Sequence, residues 1–490
     1  MSRSARGTAA RTIAVENPAR TGVIVGGVRW HSAEEVDEAV AAAGSAAPAW
    51  ARLGAAERAA SLGRIAGRLE AAAEGTSVLL ARESGKPVAD CRGEVGYACA
   101  VLRWYARHSA GLLSGRADDD HQGRLERRYR PYGVVAALTP WNAPVILTVV
   151  KLAAALAAGN TMVVKPSPLA PLAVSAVLAD AALELPPGVL RVCHGHADTA
   201  LRLVGHPGVH KVSFTGGPVA GRAVGAAAAG MLTPTTMELG GNDAAILLDD
   251  AELSESDMER LVLASFATAG QVCMAAKRIY VPRGRLGTFV ERYVAAARRS
   301  LRLGDPLLTG TTVGPVISAE AADRVRALVA GACELGGEAV ALGTVLPGTD
   351  LSAGHFERPV LVLGLSDDAP LVAEEQFGPA VPVLAYEDVE ELVDRVNAGP
   401  FGLAASVWSA DEDRAFALAE RLDCGFCFVN THNRTGMALR AAFGGVKRSG
   451  HGREYGPEGL MEYVQPVLAH LPAPFRTGGA GMAPGAYPRN

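Results

Sequence analysis

The sequence predicts a mixed α/β fold built around a parallel sheet. Val-rich apolar runs with the length of strands alternate with helical stretches through the middle of the chain. The predicted strands are residues 133–138, 161–165, 189–193 and 211–214, and the predicted helices are residues 145–158, 172–183, 199–204 and 219–229. Ligands of such sheets bind beyond the carboxyl ends of the strands, so the residues that follow each strand are the first candidates for a site.

Further elements flank this region on both sides. Predicted helices 33–43, 55–80 and 90–110 precede it. After it, helices 252–267, 286–300, 320–335 and 389–397 alternate with strands 278–281, 359–363 and 426–430, which predicts a second α/β domain. Residues 471–490 are rich in Gly, Ala and Pro and are predicted to form a mobile tail.

The composition indicates two or three domains and excludes several partners. The net charge is −4 without a basic cluster, so nucleic acid and anionic membranes are not expected to bind. The seven cysteines are scattered and odd in number, which favours reduced thiols and a cytoplasmic location. Residues 1–18 lack the apolar segment of a secretory signal, and the apolar stretch 143–158 is interrupted by Lys151 and too short to cross a bilayer.

Cys273 is the first candidate for catalysis. It follows Gly270 and Gln271 in a small-residue segment, and an accessible cysteine thiolate is a nucleophile. A lone cysteine in an apolar run can equally be a small buried side chain, so the segment alone leaves both interpretations open. Cys424 and Cys427 form a CxxC in a predicted buried strand without a second ligand pair at zinc spacing, so no metal site is predicted.

A glycine-rich turn is the candidate anion site. The sequence has no GxGxxG, but FTGGPVAG at residues 214–221 lies between a predicted strand and a predicted helix. Gly216 and Gly217 allow close backbone approach, and the N–H groups of a helix start can bind a pyrophosphate. Glycines at such a turn can also be purely structural.

Seven motifs together are more specific than any one of them. They are PWNAP at 140–144, KPS at 165–167, FTGGPVAG at 214–221, ELGG at 238–241, GQVC at 270–273, EEQFGP at 374–379 and FGGVKRSG at 443–450. In order and spacing the chain resembles the NAD(P)-dependent, non-phosphorylating aldehyde dehydrogenase superfamily over about residues 15–465.

This resemblance implies a three-part subunit. A Rossmann-type parallel-sheet cofactor domain would comprise residues 1–113 and 133–240, and an α/β catalytic domain residues 241–445. Residues 114–132 and 446–470 would form a small β oligomerisation element of a homodimer or homotetramer.

The resemblance also implies the reaction, in which an aldehyde is oxidised to the carboxylic acid with reduction of NAD(P). Cys273 would add to the aldehyde carbonyl to give a thiohemiacetal. Asn142 and the Cys273 backbone N–H would donate to the oxyanion, since such preorganised donors stabilise the developing charge. Glu238 would act as the general base that hydrolyses the resulting thioester.

The implied cofactor contacts lie in the same motifs. Lys165 would reach the adenosine ribose, Gly216 and Gly221 would lie along the pyrophosphate, and Glu375 with Phe377 would position the nicotinamide and its ribose. The full predicted set is Thr139, Pro140, Trp141, Lys165, Ser167, Phe214, Thr215, Gly216, Gly217, Gly221, Leu239, Gly240, Glu375 and Phe377. Without the motifs, Glu375 and Lys165 would be interpreted as solvated surface charges.

Some positions depart from the pattern of the superfamily. Pro168 stands where NAD-preferring relatives usually have a glutamate that binds the ribose hydroxyls, and a carboxylate there would repel a 2′-phosphate. The sequence therefore predicts NAD as the favoured cofactor with NADP also accepted. Gly217 replaces a usual serine, and Ala442 replaces a usual proline.

The substrate is an aldehyde whose identity is left open between two classes. His432, Arg434 and Arg440 lie in a segment that the resemblance places at the mouth of the aldehyde tunnel, where arginines could bind a distal anion. Those arginines could equally be solvated or pair across a subunit interface. An apolar tunnel for a medium aliphatic or aromatic aldehyde is the alternative. The candidate substrate residues are Tyr97, Ile146, Val150, Val272, Met274, His432, Arg434, Arg440 and Phe443.

Two other functions remain open at this level. A coenzyme A-acylating aldehyde dehydrogenase uses the same thioester, but its members generally lack a base at the position of Glu238. A non-catalytic relative that serves as a structural or binding protein would be expected to have lost Cys273 or Glu238, and both are present.

Overall fold

A computed structural model gives the structure of residues 11–473, apart from the side chains of Arg434 and Thr435. The helices, in chain order, are α1 Ala33–Arg52, α2 Ala55–Ala71, α3 Ala73–Ser84, α4 Val88–Leu112, α5 Pro144–Ala158, α6 Leu172–Ala182, α7 Ala197–Val204, α8 Pro218–Gly230, α9 Glu255–Phe266, α10 Leu286–Ser300, α11 Ala319–Glu334, α12 Pro370–Ala373, α13 Val389–Asn397, α14 Glu412–Ala419 and α15 Gly456–Met461.

The strands are β1 Thr12–Asn17, β2 Arg20–Arg29, β3 Arg116–Asp120, β4 Gly123–Pro131, β5 Val134–Thr139, β6 Thr161–Pro166, β7 Leu190–Val192, β8 Lys211–Thr215, β9 Thr235–Glu238, β10 Ala244–Leu247, β11 Arg278–Pro282, β12 Arg302–Leu303, β13 Glu338–Ala341, β14 Thr344–Val345, β15 Val360–Leu363, β16 Ala380–Tyr386, β17 Phe401–Gly402, β18 Ala404–Trp408, β19 Phe426–Val429, β20 Val446–Lys447, β21 Gly450–His451 and β22 Val464–Pro472.

A six-stranded sheet in the order β21-β9-β8-β5-β6-β7 forms the first core. It is parallel except for the edge strand β21, which pairs antiparallel with β9. Alternate residues of β5 point to opposite faces: Val134, Ala136 and Leu138 pack with α1, α7 and α8, and Val135 and Ala137 pack with α2, α4, α5 and α6. The predicted parallel sheet with helices on both faces is confirmed.

A seven-stranded sheet in the order β13-β15-β16-β11-β10-β18-β19 forms the second core. Its strands are parallel apart from the pair of β13 with β15. Helices α9 and α10 cover one face, while α13 and α14 cover the other. The predicted second α/β unit is present, although its division from the first at residue 240 stays a prediction.

A third sheet lies apart from these two. Strands β3 and β4 form the hairpin predicted within residues 114–132, and β22 pairs antiparallel with β4 from Val464 opposite Pro131 to Pro472 opposite Gly123. The predicted tail lies outside the described residues except for residues 471–473, the first two of which belong to β22. Residues 1–10 also lie outside them.

Two helical predictions differ clearly from the structure, and one hairpin was not predicted. Helix α1 continues to Arg52 through Pro48 instead of ending at residue 43, because its last turn buries Trp50, whose indole N–H donates to the Leu156 carbonyl at 3.2 Å. The single helix predicted over 55–80 is two helices separated at Ala72. An amino-terminal hairpin of β1 and β2 was not predicted.

Candidate functional site

The carboxyl ends of β5, β6, β8 and β9 meet at one edge of the six-stranded sheet. Leu138 pairs with Lys165 on one side and with Phe214 on the other, and Thr215 pairs with Glu238. Because parallel strands end together, the loops that follow them form the wall of a common cleft.

Two connected clefts contain most of the predicted cofactor residues. The first is lined in part by Thr139, Pro140, Trp141, Lys165, Ser167, Phe214, Thr215, Gly216 and Gly217. The second is lined by Pro140, Trp141, Asn142, Thr215, Gly216, Gly217, Leu239, Gly240, Cys273, Glu375 and Phe377. Since they share the residues around Trp141 and Gly216, one continuous cleft leads from Lys165 to Cys273.

The walls of this cleft fit a dinucleotide. The hydroxyl oxygens of Thr139 and Thr215 are buried in the wall and have no hydrogen-bond partner among the described residues. Gly217 is the N-cap residue of α8 and has open space where a Cβ would lie. Unused hydroxyls and an open helix start are groups that bind ribose and phosphate oxygens.

Lys165 lies at the end of the cleft remote from the thiol. Burial lowers the pKa of its ammonium to about 8. Its Nζ donates to the Pro166 carbonyl at 3.3 Å. His196 and Leu201, which line the same end, were not predicted, because they follow a short strand without a motif.

The backbone that precedes Cys273 follows an unusual path. Thr268, Ala269 and Gly270 have φ values of 56°, 54° and 72°, which lie in the left-handed region. Gln271 fixes this turn: its carbonyl accepts the Asn142 side-chain amide at 2.9 Å, and its side-chain oxygen accepts the Ile317 N–H at 2.9 Å. Asn142 is therefore held beside the segment that carries the thiol.

Cys273 lies half-buried between acidic groups and one cation. Burial raises the pKa of its thiol to about 12, and the carboxylates of Glu238, Asp243 and Glu375 act in the same direction, while the Lys277 ammonium lowers it. The resting thiol is therefore protonated at neutral pH and requires a favourable environment to ionise.

Glu238 ends β9 and is 4% exposed. One carboxylate oxygen, Oε1, has no hydrogen-bond partner among the residues the structure describes. Burial raises the pKa of Glu238 well above that of an ordinary carboxyl group; the Glu454 carboxylate raises it further, and the Lys151 ammonium opposes this. A buried carboxyl with a raised pKa has the character of a general base or acid.

Two of these charged groups were not predicted as site residues. Lys151 on α5 and Glu454 form a buried ion pair, and both interact with Glu238. The signal in the sequence was Lys151 itself, since a lone lysine inside the apolar stretch of α5 requires a buried partner.

On the cofactor side, Glu375 and Phe377 lie close to the thiol segment. The Glu375 Oε1 atom accepts the Gly241 N–H at 3.0 Å. The Phe377 ring meets the Trp141 ring edge-to-face at a centroid distance of 5.6 Å. Phe377 has a φ of 49°, so this loop also has a left-handed residue beside the cleft.

The predicted substrate residues divide into apolar and polar groups. Tyr97, Ile146, Val150, Met274 and Phe443 pack in the same apolar cluster as Cys273. Val272 is half-buried next to the thiol, and Arg440 is exposed. The side chain of Arg434 lies outside what the structure describes.

The prediction that His432 lies at a tunnel mouth is wrong. Its side chain is 0% exposed, and its Nδ1 atom is 2.7 Å from the Ser406 hydroxyl of β18. Burial and the Lys277 ammonium lower the pKa of His432 to about 3, so the ring is neutral near pH 7 and supplies no charge to a substrate anion.

Over residues 11–473, no three His, Cys, Asp or Glu side chains are grouped so as to hold a metal ion. No helix in this described part of the chain is long and apolar enough to cross a membrane.

Fold and cleft together are those of a dinucleotide-binding α/β enzyme. The sequence profile of the Aldehyde dehydrogenase family matches residues 5–467. The chain is 39% identical over 461 residues to geranial dehydrogenase of Castellaniella defragrans, which covers 92% of this chain and 94% of that protein. It is 35% identical to the NADP-dependent succinate-semialdehyde dehydrogenase of Escherichia coli, with 92% and 93% covered. The crystal structure of an NAD-dependent aldehyde dehydrogenase from Sinorhizobium meliloti superposes with a TM-score of 0.89 at 31% identity, covering 95% of this chain and 93% of that chain.

The chain therefore belongs to the aldehyde dehydrogenase family. It is an oxidoreductase that oxidises aldehydes to the corresponding carboxylic acids, and the use of NAD or NADP fits the family. The family, fold class and reaction predicted from the sequence are confirmed.

Two glycines at opposite ends of α8 test the cofactor cleft. A Cβ at Gly221 would lie 2.5 Å from Leu239 Cδ2, whereas a Cβ at Gly230, the last residue of α8, meets nothing within 4 Å. We expect Gly221→Ala to displace Leu239 from the cleft wall, weaken NAD binding and lower the free energy of unfolding by about 1–3 kcal/mol. Gly230→Ala is the matched control. Calorimetric titration with NAD and chemical denaturation measure both effects, and equal cofactor affinity in the two variants would contradict this assignment.

Proposed function

We propose that Cys273 is the nucleophile and Glu238 the general base of a hydrolytic aldehyde dehydrogenase that releases a free acid. The observation that supports this most directly is their placement. Cys273 and Asn142 line the end of the cofactor cleft, and Glu238, with an unused carboxylate oxygen, is close enough to affect the thiol. A coenzyme A-acylating enzyme has no need of such a base.

In the first half of the reaction, the Cys273 thiolate adds to the aldehyde carbon and the carbonyl oxygen becomes an oxyanion. The Asn142 amide and the Cys273 backbone N–H stabilise this oxyanion. When bound, the oxidised nicotinamide supplies the hydride acceptor for the chemistry. Loss of hydride from the thiohemiacetal leaves a thioester on Cys273.

In the second half, Glu238 removes a proton from water, and the resulting hydroxide adds to the thioester carbonyl. Collapse of this intermediate breaks the C–S bond, releases the carboxylic acid and returns the Cys273 thiolate. Because Glu238 is buried and acidic neighbours raise its pKa, the proton it accepts is held more firmly than on an exposed carboxyl group.

Variants of the two residues separate the two halves. Cys273→Ala is expected to abolish oxidation, because Cys273 supplies the only thiol among the described residues that line this end of the cleft. Glu238→Gln is expected to give a burst of reduced cofactor, then slow turnover, and a covalent acyl adduct visible by intact mass.

The pH dependence of turnover adds a second test. Glu238 works as a base only when ionised, so hydrolysis should rise with pH through its raised pKa, and Glu238→Gln should lose this limb. Stopped-flow absorbance of the reduced cofactor, recorded across pH with and without coenzyme A, measures the burst and the steady turnover. Normal turnover in either variant, or a strict requirement for coenzyme A, would contradict the proposal, and an inert wild-type protein would favour a non-catalytic relative.

The cofactor proposal is that NAD is favoured and NADP accepted. Pro168 lines the cleft beside Lys165 and Ser167, so this wall has no carboxylate at that position to repel a 2′-phosphate. The named relatives use both cofactors, since one is NADP-dependent and another NAD-dependent.

Pro168→Glu is expected to shift preference towards NAD by weakening NADP binding. Titration of both cofactors at saturating aldehyde gives the ratio of kcat/KM. Discrimination by wild-type protein of more than about a thousandfold against NADP, roughly 4 kcal/mol, would show that another group excludes the 2′-phosphate.

We propose that the substrate is an uncharged aliphatic or aromatic aldehyde of medium size. Tyr97, Ile146 and Phe443 share the apolar cluster of Cys273, and His432 is neutral and buried away from any mouth. The relative with 39% identity is named for geranial, whereas another with 35% identity is named for a semialdehyde, so both classes occur among relatives.

A semialdehyde and an uncharged analogue of equal length decide between these classes. We expect the uncharged analogue to have the higher kcat/KM, and Arg434→Ala and Arg440→Ala to leave the ratio of the two efficiencies unchanged. A fall in semialdehyde efficiency of tenfold or more, about 1.4 kcal/mol, in either variant alone would instead assign a site for a distal anion.

Assembly and location are proposals of the same kind. The sheet of β3, β4 and β22 presents Leu468 and Leu471, which are 56% and 68% exposed, and this supports a homodimer or homotetramer formed through it. All seven cysteines are free thiols, which supports a cytoplasmic location. Sedimentation velocity measures the assembly, and a monomer at micromolar concentration would contradict it.

A further inference from the structure

Lys277 is a buried cation four residues beyond Cys273 that the proposed mechanism does not use. Its side chain is 3% exposed. A buried ammonium is unfavourable unless its donors and its charge are matched, so the groups around it indicate what holds it there.

The ammonium of Lys277 contacts the carbonyls of the thiol segment. Its Nζ donates to the Val272 carbonyl at 3.0 Å and also to the Cys273 carbonyl. These contacts fix the backbone at the residue whose side chain reacts.

The same nitrogen faces the cofactor side of the cleft. It lies 3.4 Å from Oε1 of Glu375, an atom that also accepts the Gly241 N–H. The other oxygen of Glu375 closes against Gly240, where a Cβ would be only 2.1 Å away. Glu375 is therefore held between the backbone that follows Glu238 and the Lys277 ammonium.

Charges from several elements surround the thiol. Glu238 at the end of β9, Asp243 beside β10 and Glu375 on the cofactor loop all disfavour the thiolate, whereas Lys277 favours it. His432 packs nearby and is neutral near pH 7 because burial and Lys277 lower its pKa to about 3. Burial raises the pKa of Tyr455 well above its usual value, and Cys273 acts in the same direction, so Tyr455 adds no negative charge near pH 7.

We propose that Lys277 is a positioning residue for aldehyde oxidation, which ties the Cys273 backbone to the Glu375 carboxylate and supplies the positive charge that favours the thiolate. This inference rests on the proposed role of Cys273 as nucleophile. A neutral donor at this position could satisfy the two carbonyls but could not supply a charge opposite to the Glu375 carboxylate. The proposal therefore explains why the residue at position 277 is a lysine.

The pH profile of thiol alkylation tests the charge directly. Iodoacetamide labelling of the Cys273 peptide, followed by mass spectrometry, is measured against pH for wild type, Lys277→Met and Lys277→Gln. Both variants are expected to move the profile to higher pH, and each unit of that shift lowers the thiolate fraction below the midpoint about tenfold. Lys277→Gln retains an N–H donor, so it separates loss of charge from loss of hydrogen bonding.

Lys211→Met is the matched control. Lys211 is also a buried lysine paired with a glutamate, but it begins β8 at the end of the sheet opposite the cleft. Lys211→Met is expected to lower the melting temperature of the protein without shifting the pH profile of Cys273 alkylation.

Two further measurements separate this inference from the proposed mechanism. In the Cys273→Ala background, Lys277→Met is expected to weaken NAD binding, which requires no nucleophile. In the active enzyme, Lys277→Met is expected to lower kcat more than it changes the aldehyde KM. Aldehyde oxidation by Cys273→Ala would contradict the proposed mechanism. It would leave unchanged what iodoacetamide labelling of Cys273 shows about Lys277.

An unchanged alkylation profile in both Lys277 variants, or an equal shift in Lys211→Met, would overturn the inference. If Lys277→Met does not fold, Lys277→Gln and Lys277→Arg decide. Arginine is expected to keep the profile close to wild type, and glutamine is expected to shift it. The same profile for glutamine and arginine would also overturn it.

Discussion

The left-handed turn at residues 268–270 sets the position of the thiol, and much of the site is arranged around it. Left-handed backbone costs on the order of 1–2 kcal/mol for each non-glycine residue, so Thr268 and Ala269 must be held there by their surroundings. Gln271 and Asn142 provide part of that restraint. At Gly270 a Cβ would lie 2.3 Å from the Gly378 carbonyl oxygen, so only glycine lets the cofactor loop pack against this turn. The GQ of GQVC thus has a structural reason: glycine admits the loop, and glutamine fixes the turn.

Burial of charge is the second constraint, and it follows from the first. A turn that places Cys273, half-buried, at the end of the cleft also places it among carboxylates, and burial and these carboxylates raise the pKa of its thiol. Two lysines oppose this accumulation of negative charge from different sides: Lys151 pairs with Glu454 near Glu238, and Lys277 lies beside Glu375. Breaking a buried ion pair by removing one partner is strongly destabilising, so these pairs connect the stability of the fold to the electrostatics of the site.

The sequence was sufficient to predict the part of the fold in which strands and helices alternate regularly. Four of the six strands of the first sheet, β5 to β8, and the helices between and after them lie within a few residues of their predicted bounds, because each of these strands is a short apolar run followed by a turn. The other two strands, β9 and β21, were not predicted. The motifs at strand ends identified residues that the structure brings into one cleft, from Lys165 to Cys273. Predictions differed from the structure where a contact with a residue distant in the sequence determines the local structure. Helix α1 was predicted to end at residue 43, but burial of Trp50 accompanies its extension to Arg52. His432 was predicted at a tunnel mouth, yet it is buried within hydrogen-bonding distance of Ser406 on β18. Neither contact can be inferred from neighbours in the sequence.

Two of the three departures from the superfamily pattern, Pro168 and Gly217, lie in one part of the cleft, and this limits what they can change. Pro168 and Gly217 both line its cofactor end, and space is open at Gly217. Under the proposed roles, changes there would alter which groups meet the ribose and phosphates while leaving the turn before Cys273 and the strand that ends at Glu238 untouched. The sheet edge would fix the reacting groups through buried strands, whereas cofactor preference would depend on loop side chains that face the cleft. Because loops tolerate substitution better than buried strands do, the chain can vary its cofactor while retaining its chemistry. The same division explains why the reaction can be inferred from this sequence with less difficulty than the aldehyde. Most of the residues that would select the aldehyde belong to an apolar cluster or to the segment before Phe443, and they lie outside the seven motifs.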